Sequence, residues 1–208
     1  DATDFGDLTV AREEVTAHSS STRGLVAGGD TGSKSDVVDY VTISSAGNAT
    51  DFGNLAAANT SPAGAGSSVR MLVGGGIEGS SRVNRIQYFT IASVGNSSDF
   101  GDLSAGNAQH SALSNATRTL FVGGYTSSPI DTIEFVTTDT AGNVTDFGNL
   151  SEGSRRTGST SNATRGVMAG GDGTNLRSKI EFITIASAGD SADFGDLLAL
   201  TDSCNHGF

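Results

Sequence analysis

Four arginines, Arg23, Arg70, Arg118 and Arg165, stand 47, 48 and 47 residues apart. A guanidinium is a planar fork of donors, and a regular row of them could hold phosphate or sulfate groups. An arginine that returns at one place in each stretch of chain serves the scaffold before it serves a ligand. Its expected partners are therefore recurrent acids of the adjoining stretch, Asp7, Asp102 and Asp196. Other chemistry has less to stand on. The Asp and Asn residues flanking each Phe-Gly pair lack the ligand spacing of a calcium hand and fit side chains that cap their own turns. His18, His110 and His206 have no Cys or His partners at zinc spacing. Glu13 and Glu14 are adjacent, so they would point to opposite faces of a strand. Cys204 is the only cysteine, which excludes disulfides within the chain, and no activating neighbourhood marks it as reactive. No nucleophile elbow, phosphate-binding glycine loop or zinc-protease motif is present. The expectation is a non-enzymatic protein with no metal and no cofactor.

The elements that position these residues come from a repeat. The motif Asp-Phe-Gly-Asp/Asn-Leu returns at Phe5, Phe52, Phe100, Phe147 and Phe194, spaced 47, 48, 47 and 47 residues apart. A period of this length points to a propeller or a solenoid, built of modules too small to bury a core alone. Residues 1–8 form a spare fourth strand, and complete modules span 9–55, 56–103, 104–150 and 151–197. Residues 198–208 begin another first strand. Each module reads as a polar opening segment, a turn ending in the Arg, and an apolar run closed by two glycines. The glycine pairs are Gly28-Gly29, Gly75-Gly76, Gly123-Gly124 and Gly170-Gly171. A loop and a third strand follow, then a Gly-Asn or Gly-Asp hairpin signal, then the motif. Four short strands with three connections make one antiparallel sheet.

Third-strand positions Val38, Ile86, Ile133 and Ile180 share a face with Tyr40, Tyr88, Phe135 and Phe182 by the period of two. The intervening face is apolar as well, at Val41, Phe89, Val136 and Ile183. A sheet covered on both faces is a propeller blade. The glycine pairs let one sheet approach the next, and the motif Phe wedges between them.

This pattern resembles kelch repeats, which carry a diglycine after the second strand, an aromatic residue in the third and a Trp near the fourth. Here Phe52, Phe100, Phe147 and Phe194 stand roughly where the Trp would be. The unit is more similar still to the kelch-like Asp-Phe-Gly-Asp-Leu repeats of predicted tail-fibre and other virion proteins of tailed phages of aquatic bacteria. The resemblance spans the whole chain and implies an all-β, kelch-like propeller with four complete blades and spare end strands. The chain would then be an arc of a larger ring, a ring overlaid at its seam, or one completed by strands of a neighbouring chain. The implied location is a virion surface or the extracellular space.

Composition narrows the partners. Gly at 29 and Pro at 2 suit many tight turns between strands. The formal net charge of −11 disfavours nucleic acid and anionic membranes. No apolar run approaches a membrane span, and no signal peptide is visible in a chain that opens on Asp1. That opening suggests a processed product, a fragment or the ordered part of something longer. Asn48, Asn59, Asn96, Asn115, Asn143, Asn149 and Asn162 match the glycosylation pattern, as chance allows in a chain so rich in Asn, Ser and Thr.

One rim of the repeats is uniform, with its Arg turns and Gly-Asn turns. The other varies, through loops 30–35, 77–83, 125–129 and 172–178 and connectors holding Arg12, Glu13, Glu14, Arg155 and Arg156. Varied loops on a constant scaffold are where recognition is expected. The candidate ligand residues are Asp30, Lys34, Glu78, Arg82, Tyr125, Asp172, Asn175 and Arg177. Two functions compete: binding of a host-surface glycan or protein, or a structural module that joins copies of itself through its end strands.

Overall fold

The computed structural model describes residues 1–201, which hold eighteen strands and no helix. Expectations for Cys204, His206 and the last part of segment 198–208 fall outside those residues. The first sheet is a meander of β1 (Thr16–Ser19), β2 (Arg23–Ala27), β3 (Ser35–Thr42) and β4 (Thr50–Thr60). The second has β5 (Ala63–Gly66), β6 (Arg70–Gly74), β9 (Arg85–Thr90) and β10 (Ser98–Asp102). Between β6 and β9, a hairpin of β7 (Ile77–Glu78) and β8 (Ser81–Arg82) pairs back onto the end of β4. The third sheet is β11 (Ser111–Ser114), β12 (Arg118–Val122), β13 (Thr132–Thr137) and β14 (Thr145–Asn149). The fourth is β15 (Gly158–Ser161), β16 (Arg165–Ala169), β17 (Arg177–Thr184) and β18 (Ala192–Thr201).

The four sheets follow one another in chain order with three apolar cores between them, an arrangement consistent with a propeller. The core between the first two sheets joins Leu25, Val38 and Phe52 to Met71, Val73 and Phe89. The next joins Leu72, Ile86 and Phe100 to Phe121 and Val136, and the last joins Leu120, Ile133 and Phe147 to Met168 and Ile183. First strands lie side by side, β1 on β5, β5 on β11 and β11 on β15. Among the described residues β15 and β1 are not packed in this way, and Ile43 and Phe194 are exposed at the two ends, so the stack is open.

The first strands are built of small residues because the sheets crowd there. A Cβ on Gly64 would stand 2.8 Å from Thr16 Oγ1. Side chains tie these strands across the sheets: Ser114 Oγ donates to the Gly66 carbonyl at 2.6 Å, and Ser161 Oγ to the Ser114 carbonyl at 2.7 Å. His18 Nε2 meets the Ser67 carbonyl at 2.9 Å. Burial of the ring pushes the His18 pKa below its ordinary 6.5, and the Ser67 carbonyl pulls partly against that. The unfolded chain therefore protonates first as the pH falls, and stability is lost from about pH 6.5 downward until the folded ring is charged as well. Urea midpoints measured between about pH 7.5 and 5.5 should fall on acidification, and His18→Gln should reduce that slope. The lowered carboxyls of Glu14 and Glu181 lose their contribution only below their ordinary 4.5, outside this window.

The motif is a β-bulge. In the first sheet Val38 faces Gly53 and Asp39 faces Asp51, which leaves Phe52 as the extra residue. Phe100, Phe147 and Phe194 are displaced likewise. A bulge re-aims a side chain, and here it turns the ring toward the following sheet. Phe52 meets Tyr40 edge to face at 5.9 Å and Phe89 at 5.8 Å. The motif glycine has φ of +145° at Gly53, and a Cβ there would run into the Gly95 carbonyl oxygen of the next sheet.

That carbonyl belongs to the Gly-Asn signal, which is not a two-residue hairpin turn. The third and fourth strands of the first sheet are joined by the longer stretch 43–49. Its glycine and asparagine receive the preceding motif instead. The Gly95 amide donates to the Phe52 carbonyl at 2.8 Å, and Asn96 Oδ1 accepts from the Asn54 amide at 3.0 Å. Phe100 with Gly142-Asn143 and Phe147 with Gly189-Asp190 repeat the pattern. So does Phe5 with Gly47-Asn48: residues 5–7 lie on the first sheet as each later motif lies on its neighbour.

The arginines take a different partner from the expected acids. Arg23 stacks on Tyr40 at 4.7 Å and donates to the Ile91 carbonyl at 3.0 Å. Arg70 stacks on Tyr88 and reaches the Thr138 carbonyl, and Arg118 stacks on Phe135 and donates to the Ile185 carbonyl at 2.9 Å. Arg165 stacks on Phe182, with no such carbonyl in front of it among the described residues. No ion pair joins these arginines to Asp7, Asp102 or Asp196 among the described residues. The first three guanidiniums are thereby engaged in the scaffold. In the first three glycine pairs the second glycine donates its amide to a carbonyl on the chain leading into the next sheet, Gly29 to Asn59, Gly76 to Asn107 and Gly124 to Ser154.

Candidate functional site

The connectors that enter the first strands and the loops after the glycine pairs meet on the varied rim. Two residues before each first strand stands one left-handed, non-glycine residue: Glu14 (φ 54°), Ser61 (54°), Gln109 (58°) and Arg156 (56°). Such a conformation is uncommon for side chains of this size. A series of backbone bonds holds it. The Ser61 amide donates to Glu14, Gln109 to Ser61 and Arg156 to Gln109, at 3.2, 3.1 and 2.8 Å. One residue per sheet is thus locked at the mouth of the stack, and no two of the four are alike.

Glu14 is fixed by Oε2, which accepts from Thr60 Oγ1 and Ser61 Oγ at 2.6 Å each. The Ser61 and Thr60 hydroxyls hold its carboxyl below the ordinary range. Burial works against them, while Arg156 and Lys34 add to the lowering. Gln109 accepts at Oε1 from Arg155 Nη1 at 3.2 Å. Arg155 forks onto Asp172, through Nε at 3.0 Å and Nη2 at 2.9 Å.

The loops are pinned at their bases. Asp30 bridges Glu13 and Lys34, Tyr125 bridges Ala108 and Pro129, and Asp172 bridges Arg155 and Leu176. Asp30 Oδ1 also accepts from the Gly32 amide at 2.7 Å. The exposed tips are Thr31-Gly32-Ser33, Gly79 to Arg82, Ser127-Ser128 and Thr174 to Leu176. They are short and mostly hydroxylic, on a base that little can bend.

The expected ligand residues divide on this geometry. Asn175 and Arg82 are exposed, while Asp30, Lys34 and Asp172 are half-buried at the loop bases. Glu78 is paired with Arg85 at 2.8 Å. Arg177 is 6 % exposed and held by Glu152 at 2.6 Å and Glu181 at 3.8 Å, so it supports the fourth sheet from inside. Tyr125 carries two guanidiniums, Arg82 at 4.6 Å and Arg155 at 4.7 Å from the ring centre. Two cations at that distance compete with a sugar ring for the surface of the phenol. Ser61 and Gln109 were missed in the sequence. They recur on the repeat period with Glu14 and Arg156, but share no chemistry that would mark the position.

The rim can do hydrogen bonding from fixed hydroxyl and amide groups, with an acid at one end of the left-handed row and a base at the other. Compared with known protein families and with curated proteins, the chain matches none.

Proposed function

We propose that the chain is a non-enzymatic, kelch-like propeller arc of a tail-fibre-type or other virion-surface protein. Its varied rim binds a host-surface glycan or protein. The observation that carries this reading is the contrast between the two rims. On the uniform rim, turn amides and three of the four arginines are consumed by contacts between sheets. On the varied rim the backbone holds four strained, dissimilar residues and presents stiff hydroxylic loop tips of which only Arg82 is drawn into a neighbouring module, against Tyr125. Strain retained at equivalent places is a feature of binding surfaces, and pre-organised loops lose little entropy on binding.

A glycan fits the tip chemistry, since Thr31, Ser33, Ser80, Ser127, Thr174 and Asn175 offer both donors and acceptors. The test is saturable adsorption of labelled chain to host cells and to a glycan array. Replacing the tips 31–33, 79–82, 126–128 and 173–176 by glycine-serine should weaken adsorption by about tenfold or more with the melting temperature little changed. Substituting Thr22 and Thr164 on the opposite rim should leave it intact. Adsorption that survives the loop exchange would sink this reading.

A further inference from the structure

The two ends of the stack are complementary. Every motif except the last lies on a following turn, and of the recurrent arginines Arg23, Arg70, Arg118 and Arg165 every one except the last donates to a carbonyl of the following sheet. At the fourth sheet Phe194 is 57 % exposed, and a Cβ on Gly195 would meet nothing. At the first sheet the missing counterpart lies bare. Ile43 holds the position of Ile91, Thr138 and Ile185, yet it is 44 % exposed where those are 2 %, 0 % and 0 %. Val26 and Val41 are only half-buried, whereas the matching Val73, Phe121 and Met168, and Phe89, Val136 and Ile183, are buried. The row of left-handed residues is unfinished too, since no bond joins the Glu14 amide to the Arg156 carbonyl among the described residues.

The Gly47-Asn48 turn of the first sheet is occupied by Phe5, Gly6 and Asp7 of the same chain, and Asp39 by Thr9 and Arg12. That segment brings the backbone bonds of a motif without a sheet behind it, and Phe5 stays 41 % exposed. It covers the turn and leaves Ile43 open.

We propose that the fourth sheet of one copy docks on the first sheet of a second copy, displacing residues 4–8. Phe194, Gly195 and Asp196 would take the Gly47-Asn48 turn, and Arg165 would donate to the Ile43 carbonyl. The three interfaces inside the chain supply the template for this contact. It is heterologous, so copies add head to tail and close into a ring or extend as a filament, according to the rotation between them. Assembly uses the end sheets and no part of the varied rim, so it stands or falls apart from ligand binding.

Light scattering over a concentration series tests it. The wild-type chain should exceed its single-chain mass of 20.9 kDa as concentration rises. Ile43→Asp and Phe194→Asp should each stay at one chain. Mixed, they should form a two-chain complex and nothing larger, because each variant retains one competent end. Both positions are exposed, and unchanged melting of each variant alone would exclude unfolding as the cause. Deleting residues 1–8 should lower the concentration needed for assembly by about tenfold. A wild-type chain that stays at one mass throughout, a mixture that does not pair, or assembly abolished by the deletion would overturn the proposal.

Discussion

Phe100→Ala is expected to cost about 3–5 kcal/mol in urea unfolding, while Phe194→Ala, the same residue of the same motif, should cost less than about 1 kcal/mol. Phe100 is 2 % exposed in the core between the second and third sheets, edge to face with Tyr88 at 6.0 Å. Truncating it removes a buried ring and leaves a cavity whose walls belong to two sheets. Phe194 keeps its own-sheet partner, Phe182, at 6.1 Å, but has no following sheet against it. The contrast isolates the contribution of the interface from that of the motif itself. It is to be measured in dilute solution, where head-to-tail docking would not cover Phe194. Equal losses at the two sites would mean that the fourth sheet is capped and the stack is not open.

The parts of this fold legible in the sequence are those in which one residue type does one job in every module. Phe in the bulge, paired glycines under the connector of the next sheet, and aromatics in the third strand all had to recur because the interfaces recur. The Arg column was legible as scaffold, but its partner was not. A backbone carbonyl such as that of Ile91 has no signature in residue types, so an acid on the same period looked the better match. The Gly-Asn turn misled for a related reason. Glycine there resembled a hairpin former, yet its work is to bring an amide and a carbonyl close to the preceding motif. Half of the left-handed row stayed hidden because Ser61 and Gln109 are ordinary residues in an unusual conformation, held by bonds from neighbouring sheets. Burial also redirected two candidates: Arg177 turned inward onto Glu152 and Glu181, and Tyr125 was covered by two arginines.

The third strands also carry a buried polar column that has no uniform residue type. Asp39, Gln87, Glu134 and Glu181 alternate with the apolar third-strand positions and are all buried. Three of them have a visible task, receiving the backbone amide just after the preceding motif. Asp39 accepts from Thr9 at 3.2 Å, Gln87 from Ala56 at 2.9 Å and Glu181 from Ser151 at 2.9 Å. Gln87 does this without charge. Asp39 needs a cation, and Arg12 supplies it at 2.9 Å with both side chains fully buried. Arg12→Met should therefore cost about 3–5 kcal/mol, because it leaves a carboxylate buried without its counter-charge. Adding Asp39→Gln should recover most of that loss, since the amide reproduces the arrangement of the second sheet. The double-mutant cycle in urea unfolding reads the coupling directly. Should the double variant be no more stable than Arg12→Met alone, the loss would lie in the bond from Arg12 Nη2 to the Val26 carbonyl and in the packing of the arginine stem. Thr9 is anchored to Asp39 through both its amide and its hydroxyl. Recovery would therefore place the charge pair as the clamp that holds the N-terminal motif on the first sheet.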